Sequence, residues 1–591
     1  MIWIVSFIIS VLFLIIGVIF TVIMSKTKES GLKNPFNTFF ASVFASSSVL
    51  FFPVYLNVFC VEQNIFSKLL KVLLLSVHNT MRLFILDGDF TIITEYINKD
   101  NGWIYYHYTG LAAVLFVIAP VLTFGFVLTF FKNFSSNLRY LRHQFAPVFV
   151  FSELNERSVV LAEDLSKNNK KRLVVFTNTF EDNEKSDSEL IERAKNIGAI
   201  LFKNNISVAN FFRHSKKSEI NFFIISDNES ENLNHVLNLI DKYRNREKTS
   251  IFVFSTDIST ELVLNNVDKG KIKVRRIQEV QSLINRNIYD NGYKKIFESA
   301  KPIDSDLKMI NAVIIGMGLH GTEMTKSLAW VGQMHGYRIQ VTSYDIDKRA
   351  DQKFTSICPD LLTPENNSGI FDENESCYKI TIKPDVDVTS KEFFDSLDTL
   401  GDITYVFVSL GSDEMNIKTA INVRSYLLRN GSAPVIDAVV FDTKKKKSLD
   451  GITNHSNQSY DINFIGDMES SYCEDVVMGT DIEKLALARH MMWGQEDEFW
   501  NFEYNYRSSI ASAIHKRLKI QCGVPGISKS PDERSDSELD NIRKLEHRRW
   551  NAYMRSEGFV YSETRNNLAK THHLIKRFDE LPLKEQIKDD D

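Results

Sequence analysis

NAVIIGMGLHGTEMTKSLA (residues 311–329) decides how the larger part of this chain is read. The apolar run NAVII leads into GMGLHG, and a helix-compatible stretch follows. Gly316, Gly318 and Gly321 fit the GxGxxG spacing where it carries meaning, between a buried strand and a helix. The reason is steric. The first glycine permits a tight turn, the second lets a pyrophosphate approach the backbone, and the third lets the helix lie close to the strand. The same glycines also serve to pack helix on strand with no ligand bound, and the residues leave both readings open. The next strand, RIQVTSYDID (338–347), ends at Asp345 and Asp347. Asp345 stands at the strand end, where a carboxylate can reach a ribose hydroxyl, although it follows Gly316 by 29 residues rather than about 20.

Working outward, the apolar runs YVFVSLGSDEMN (405–416), APVIDAVVFD (433–442) and INFIGD (462–467) complete a sheet after the glycine turn. Before it lie VFVFSEL (148–154), RLVVFTN (172–178), AILF (199–202), INFFIISD (220–227) and IFVFSTD (251–257), separated by helical stretches. Strand–helix alternation at this spacing predicts two Rossmann-like α/β domains, at 146–300 and 308–480. The first is degenerate. Its first turn reads SELNERS (152–158), without glycine and with two carboxylates at the helix mouth, which would repel a phosphate.

The N-terminal end is different in kind. IWIVSFIISVLFLIIGVIFTVIM (2–24) holds no charge and is longer than a signal-peptide core. A second apolar stretch, 36–61, is rich in the Ala and Ser that suit helix contacts in lipid. A third, 103–131, begins with Trp103, Tyr105, Tyr106 and Tyr108, an interfacial belt. A transmembrane domain of about three spans, 1–135, is therefore expected. Residues 65–86 are interrupted by Lys68, Lys71, His78 and Arg82. They suit an interfacial helix, a re-entrant or pore-lining element, or a fourth span. Lys26, Lys28 and Lys33 follow the first span, and Lys132, Arg139 and Arg142 the third. The positive-inside rule puts both flanks, and the soluble body, in the cytoplasm, so the expected location is the cell inner membrane.

The mean hydropathy of −0.16 is thus an average over unlike pieces. Of the 591 residues, 44% are hydrophobic and 25% charged, which excludes a disordered chain. With 70 Lys+Arg against 75 Asp+Glu, bulk nucleic-acid binding is disfavoured. The cysteines at 60, 358, 377, 473 and 522 form no CxxC, which suits a reducing compartment and no structural metal. No GxGK[ST], HExxH or GxSxG occurs, and no hydride-transfer partner presents itself, so no enzyme is expected.

Membrane spans followed by two such α/β units resemble ion channels and transport regulators carrying RCK (TrkA N-terminal) domains. GMGLHG and Asp345 carry that resemblance, over roughly 146–480. It implies homo-oligomeric cytoplasmic rings in which nucleotide or ion binding pulls on a pore. SELNERS departs from the pattern, and so does the lack of TVGYG, which leaves potassium selectivity unsupported. The acidic LDGDF (86–90) suits cation attraction or a solvated loop equally.

After a helical linker region (481–535), LEHRRWNAYMRSEGFVY and HHLIKRFDELP resemble the bacterial form of the ryanodine-receptor repeat (RyR) domain, over 540–591. That resemblance implies a recognition module, in some cases tied to nucleotide signalling and antiviral defence. On the residues themselves, His547, Arg548, Arg549, Trp550 and Tyr553 make a cationic and aromatic surface, and Arg565, Lys570, His572 and His573 return opposite it in a hairpin. Arg forks bind phosphate and Trp stacks on a base. The other reading is a core Trp capped by solvated arginines.

The expected function is a ligand-sensing, channel-like membrane effector whose Rossmann domains and RyR module bind a small nucleotide-type ligand and rearrange the spans. A non-conducting regulator or scaffold of a transporter is the first alternative. A membrane-tethered NAD(P)-dependent enzyme is the second.

Overall fold

The computed structural model describes the chain except residues 1, 27–34, 62–63, 98–101, 144, 169–171, 180–184, 210, 212–213, 227, 363–377, 454–460 and 591. Lys28, Lys33 and Cys377 lie outside the described residues. The chain divides into two compact units, Met1–Arg139 and Tyr140–Asp591.

The first unit contains three helices long and apolar enough to cross a membrane, over Ile2–Thr21, Thr38–Val58 and Gly102–Phe124. They belong to α1 (Ile2–Lys26), α2 (Pro35–Val58) and α5 (Gly102–Arg142). Small residues bring α1 and α2 together antiparallel. Ser6 Oγ donates to the Val49 carbonyl at 2.6 Å and Ser10 Oγ to that of Ser46 at 3.0 Å, and a Cβ on Gly17 would collide with Ser42.

The ambiguous segment forms α3 (Ile65–Phe84), which is followed by the short α4 (Thr91–Tyr96). α3 runs antiparallel beside α2. Lys71 lies over the Phe59 ring at 5.8 Å, Ser48 Oγ meets Thr80 Oγ1 at 3.1 Å, and Phe84 packs on Phe44 at 5.7 Å. Its inner face buries Val72, Ser76, Asn79, Thr80, Leu83 and Phe84.

The second unit holds two parallel sheets with the same strand order. The first comprises β1 (Val148–Phe151), β2 (Leu173–Phe176), β3 (Ile200–Leu201), β4 (Ile220–Ile224), β5 (Thr249–Phe254) and β6 (Lys273–Ile277), ordered β3-β2-β1-β4-β5-β6. The second comprises β8 (Lys308–Ile315), β9 (Tyr337–Tyr344), β10 (Tyr378–Lys383), β11 (Tyr405–Val408), β12 (Val435–Val439) and β13 (Ile462–Ile465), ordered β10-β9-β8-β11-β12-β13. The short β7 (Lys301–Pro302) pairs antiparallel with β8. In both, the order reverses beside the first strand, the Rossmann arrangement with its crevice at that switch point. Strands β1, β2, β4 and β11 are buried at every position, because helices cover both faces.

The helical end is not a separate appendage. Helices Glu503–Gln521 and Asp536–Ser556 share one apolar core with helices Glu279–Gly292 and Leu319–Val331. Trp330 meets Tyr553 edge-on at 6.2 Å within it. A charged seam ties the same helices to β6. Arg276 reaches Glu503 (2.7 Å) and Glu261 (2.8 Å), Arg507 reaches Glu557 (2.6 Å), and Lys326 reaches Glu323 (2.9 Å) and Glu557 (3.5 Å). Burial alone would raise the Glu557 pKa, but Arg507 and Lys326 overcome it and hold the carboxyl at about 2.

Candidate functional site

Three places in the second unit are candidates: two switch points and one cavity. At the first switch point the turn after β1 is closed by its own side chains. Asn155 caps the Glu156–Asn168 helix, its Oδ1 accepting from the Ser158 N–H at 2.9 Å while Ser158 Oγ accepts from the Asn155 N–H at 2.9 Å. Asn155 Nδ2 then donates to the Ile225 carbonyl at 2.7 Å, and Ser152 Oγ accepts from the Ile225 N–H at 2.9 Å. The crevice between β1 and β4 is therefore laced shut where a pyrophosphate would lie. Glu229 fills the next loop, accepting from the N–H groups of Thr256 and Asp257 at 3.0 Å each.

At the second switch point the glycines do steric work. Gly316 has φ 93°, open to glycine, and its N–H donates to the Tyr344 carbonyl at 2.8 Å. A Cβ on Gly321 would overlap the Gly316 carbonyl, so the helix approaches the strand only as glycine allows. Around Gly318 a Cβ would meet nothing within 4 Å, which leaves the turn open on that side. Asp345 faces this turn. Its Oδ2 accepts from the Met317 N–H at 2.6 Å and its Oδ1 from the Asp347 N–H at 2.7 Å. The carboxylate thus braces the glycine turn from the end of β9. His320 sits beside Phe441 with ring centroids 5.5 Å apart, and burial lowers its pKa.

The cavity lies at the helical end and has a volume of about 280 Å³. The Asp536–Ser556 helix supplies Glu546, His547, Arg549 and Trp550 to its wall. That helix starts where Ser535 and Glu538 form a capping box, and its i, i+3 and i+4 spacing puts these side chains on one stripe. Half-buried Trp550 stacks near His547 (5.9 Å, 24° between planes) and meets His572 edge-on at 5.0 Å. His572 and His573 are stacked at 5.1 Å. At the rim, Arg565 bonds Tyr504 Oη at 2.6 Å and lies over its ring.

The floor is a buried ion cluster. Glu546 accepts from Ser512 Oγ (2.8 Å), Arg549 Nε (3.0 Å) and Lys519 Nζ (2.6 Å). Burial would raise its pKa, but Arg549, Lys519 and Arg489 override that and hold the carboxyl well below its ordinary range. The opposite effect operates on His572: burial, with Arg565 and His573 adding to it, pushes the imidazole down to about 3. At neutral pH His572 is therefore a neutral imidazole beside the Trp550 face, and the wall carries Arg549 and Arg565 together with the carboxylates of Glu546, Glu585 and Asp589.

Of the residues named from sequence, His547, Arg549, Trp550, Arg565, His572 and His573 line this cavity. The others lie elsewhere. Arg548 is absent from the lining. Tyr553 is buried against Trp330, and Lys570 Nζ donates to the Glu557 carbonyl at 2.7 Å. Gly316, Gly318, Gly321 and Asp345 belong to the second switch point. Arg489, Met492, Trp493 and Tyr504 complete the wall from the segment read as a linker, and Lys588 and Asp589 from the end of the chain. The signal for the former was the apolar MMW directly after an Arg-His pair in DIEKLALARHMMWGQEDEFW. Among the described residues no group of three or more His, Cys, Asp or Glu is placed to hold a metal ion. No protein-family model matches this chain, and no curated protein matches it.

Proposed function

We propose that this protein is a non-enzymatic, ligand-sensing membrane effector whose sensor is the helical-end cavity. The observation that carries the reading is the wall of Trp550, Arg565 and His573 over a floor whose carboxylate is already neutralised by Lys519 and Arg549. Its volume of about 280 Å³ suits a small ligand, near the lower end of the range of about 300–1,000 Å³ for such sites. The ligand class is nucleotide-type, with a base on Trp550 and a phosphate at Arg565. The resemblance to RyR modules agrees with a recognition role, and an antiviral role rests on that resemblance alone.

The helices that form the cavity also pack on the Leu319–Val331 helix, which starts at the glycine turn. A ligand that binds one packing of these helices better than another shifts the population of the whole body. In a homo-oligomeric ring of the RCK (TrkA-N) kind, on the cytoplasmic side, that shift would gate the spans. The scaffold alternative shares this sensor and differs only in having no conducting path. The bracing of Asp345 against the turn backbone favours neither a dinucleotide nor an enzyme.

The test is binding of a nucleotide panel to the full chain in lipid nanodiscs. A ligand is expected that loses at least about tenfold in affinity, or about 1.4 kcal/mol, in Trp550→Ala and in Arg565→Ala. Binding that both variants leave unchanged overturns the assignment.

A further inference from the structure

One side of the helical-end cavity is closed by a segment that apolar burial does little to fasten. Leu583–Gln586 forms one turn of helix and Ile587–Asp589 a 3-10 turn, and Glu585, Lys588 and Asp589 line the cavity from it. Its two large apolar side chains lie largely on the surface, Leu583 68% and Ile587 48% exposed. Polar contacts hold the segment instead. Arg543 Nη2 donates to Asp590 Oδ2 at 3.0 Å, and Gln586 Nε2 to the Leu581 carbonyl at 2.9 Å. Both side chains of the Arg543–Asp590 pair remain partly exposed, which keeps its contribution small.

Asp589, by contrast, turns into the cavity. Its Oδ2 lies 3.4 Å from His547 Nδ1, and burial raises its pKa against the pull of His547 and Arg549. His547 Nε2 faces the Lys576 carbonyl at 2.9 Å and so carries hydrogen. Nδ1 therefore attracts the carboxyl only with a proton between them. On the same helix, Arg549 is 2% exposed and uses Nε and Nη2 on Glu546, at 3.0 and 2.9 Å. Its Nη1 is buried and has no hydrogen-bond partner among the described residues. A buried donor left open in a cavity wall marks the place of an acceptor. Lifting the segment takes two carboxylates and one lysine from the wall and leaves three arginines against Glu546.

We propose that Leu583–Asp590 is an autoinhibitory strap, in which Asp589 holds a subsite beside His547 and Arg549 that a further phosphate of a nucleotide-type ligand fills by displacing it. The proposal rests on the reading of this cavity as a sensor and adds the contact that keeps it closed.

The test uses the full chain in lipid nanodiscs and inorganic pyrophosphate, an anion that needs no stacking on Trp550. Arg543→Ala cuts the latch to Asp590 and leaves the cavity wall intact. It removes a positive charge, so a plain charge effect would weaken anion binding, whereas release of the strap strengthens it. Pyrophosphate affinity is expected to rise at least about tenfold, as for a site otherwise open less than about a tenth of the time. Asp590→Asn should act in the same direction. Hydrogen exchange should quicken across 583–590 in both variants and stay unchanged in the Asp536–Ser556 helix, which shows that the fold is kept. Unchanged or weakened pyrophosphate binding in Arg543→Ala, with or without faster exchange, overturns the strap, as does the absence of pyrophosphate binding from every form. A nucleotide that depends on Trp550 and Arg565 but binds the latch variants no more tightly overturns the strap and leaves the sensor standing. Tighter pyrophosphate binding after release, with no nucleotide that depends on Trp550, does the reverse.

Discussion

The two sheets of the second unit share strand order and handedness, yet their switch points are built in opposite ways. The first is laced by side chains: Asn155 reaches across to Ile225, and Glu229 takes the N–H groups of the next loop. The second is cleared by glycines and braced from one side by Asp345. A common topology thus places a crevice without deciding its use. Polar side chains can fill it as stably as a ligand. The second helix is also locked to the helical end by the Lys326–Glu557–Arg507 seam.

Substitutions should separate the two turns in graded steps. Gly321→Val should have the largest effect, because the new side chain must displace the Gly316 carbonyl. A loss above about 4 kcal/mol is expected, seen as failure to recover folded protein from detergent. Glu557→Ala comes next, taking from buried Arg507 its shortest ion pair and leaving Lys326 to Glu323 alone. It should cost about 3–5 kcal/mol in thermal melts of the purified chain. Acid should act on the same residue. The Glu557 pKa is depressed from 4.5 to about 2, so its stabilisation is complete above pH 4.5 and is lost as pH falls toward 2. The melting temperature of Glu557→Gln should accordingly vary less with pH across that interval than that of the unmodified chain.

Asn155→Ala removes a helix cap and the bridge to Ile225, and about 1–2 kcal/mol should follow. If Asn155→Ala costs nothing measurable, the lacing of the first crevice is incidental. The smallest effect belongs to Asp345→Asn, which keeps an acceptor for the Met317 N–H. About 1 kcal/mol or less is expected. A loss of ligand binding in Asp345→Asn at unchanged stability would instead make the second crevice a binding site and sharpen the contrast between the turns.

Periodicity and composition carried much of the architecture. Charge-free length sufficed for α1, and runs such as VFVF and YVFV for buried strands, because burial on both faces demands continuous apolar sequence. β6 reads KVRRI and escaped that rule. Its arginines are buried through ion pairs with Glu483, Glu261 and Glu503, partners more than a dozen residues away in sequence. The cavity was legible in part for the same reason. The stripe of His547, Arg549 and Trp550 is local helix geometry, whereas Arg489, Trp493 and Tyr504 come from another helical segment brought alongside by packing.

What the sequence by itself determined is therefore local and repetitive: three spans, two α/β units, a glycine turn, one aromatic and basic helix stripe. Each follows from backbone periodicity or from the steric freedom of glycine, which neighbouring residues in the chain express. The tertiary structure alone decided which turn is laced and which is open. It also decided that Asp345 braces backbone and that the helical end shares a core with the second sheet. These depend on which distant groups meet, and hydrogen bonds, ion pairs and lipid exposure are settled only by that meeting.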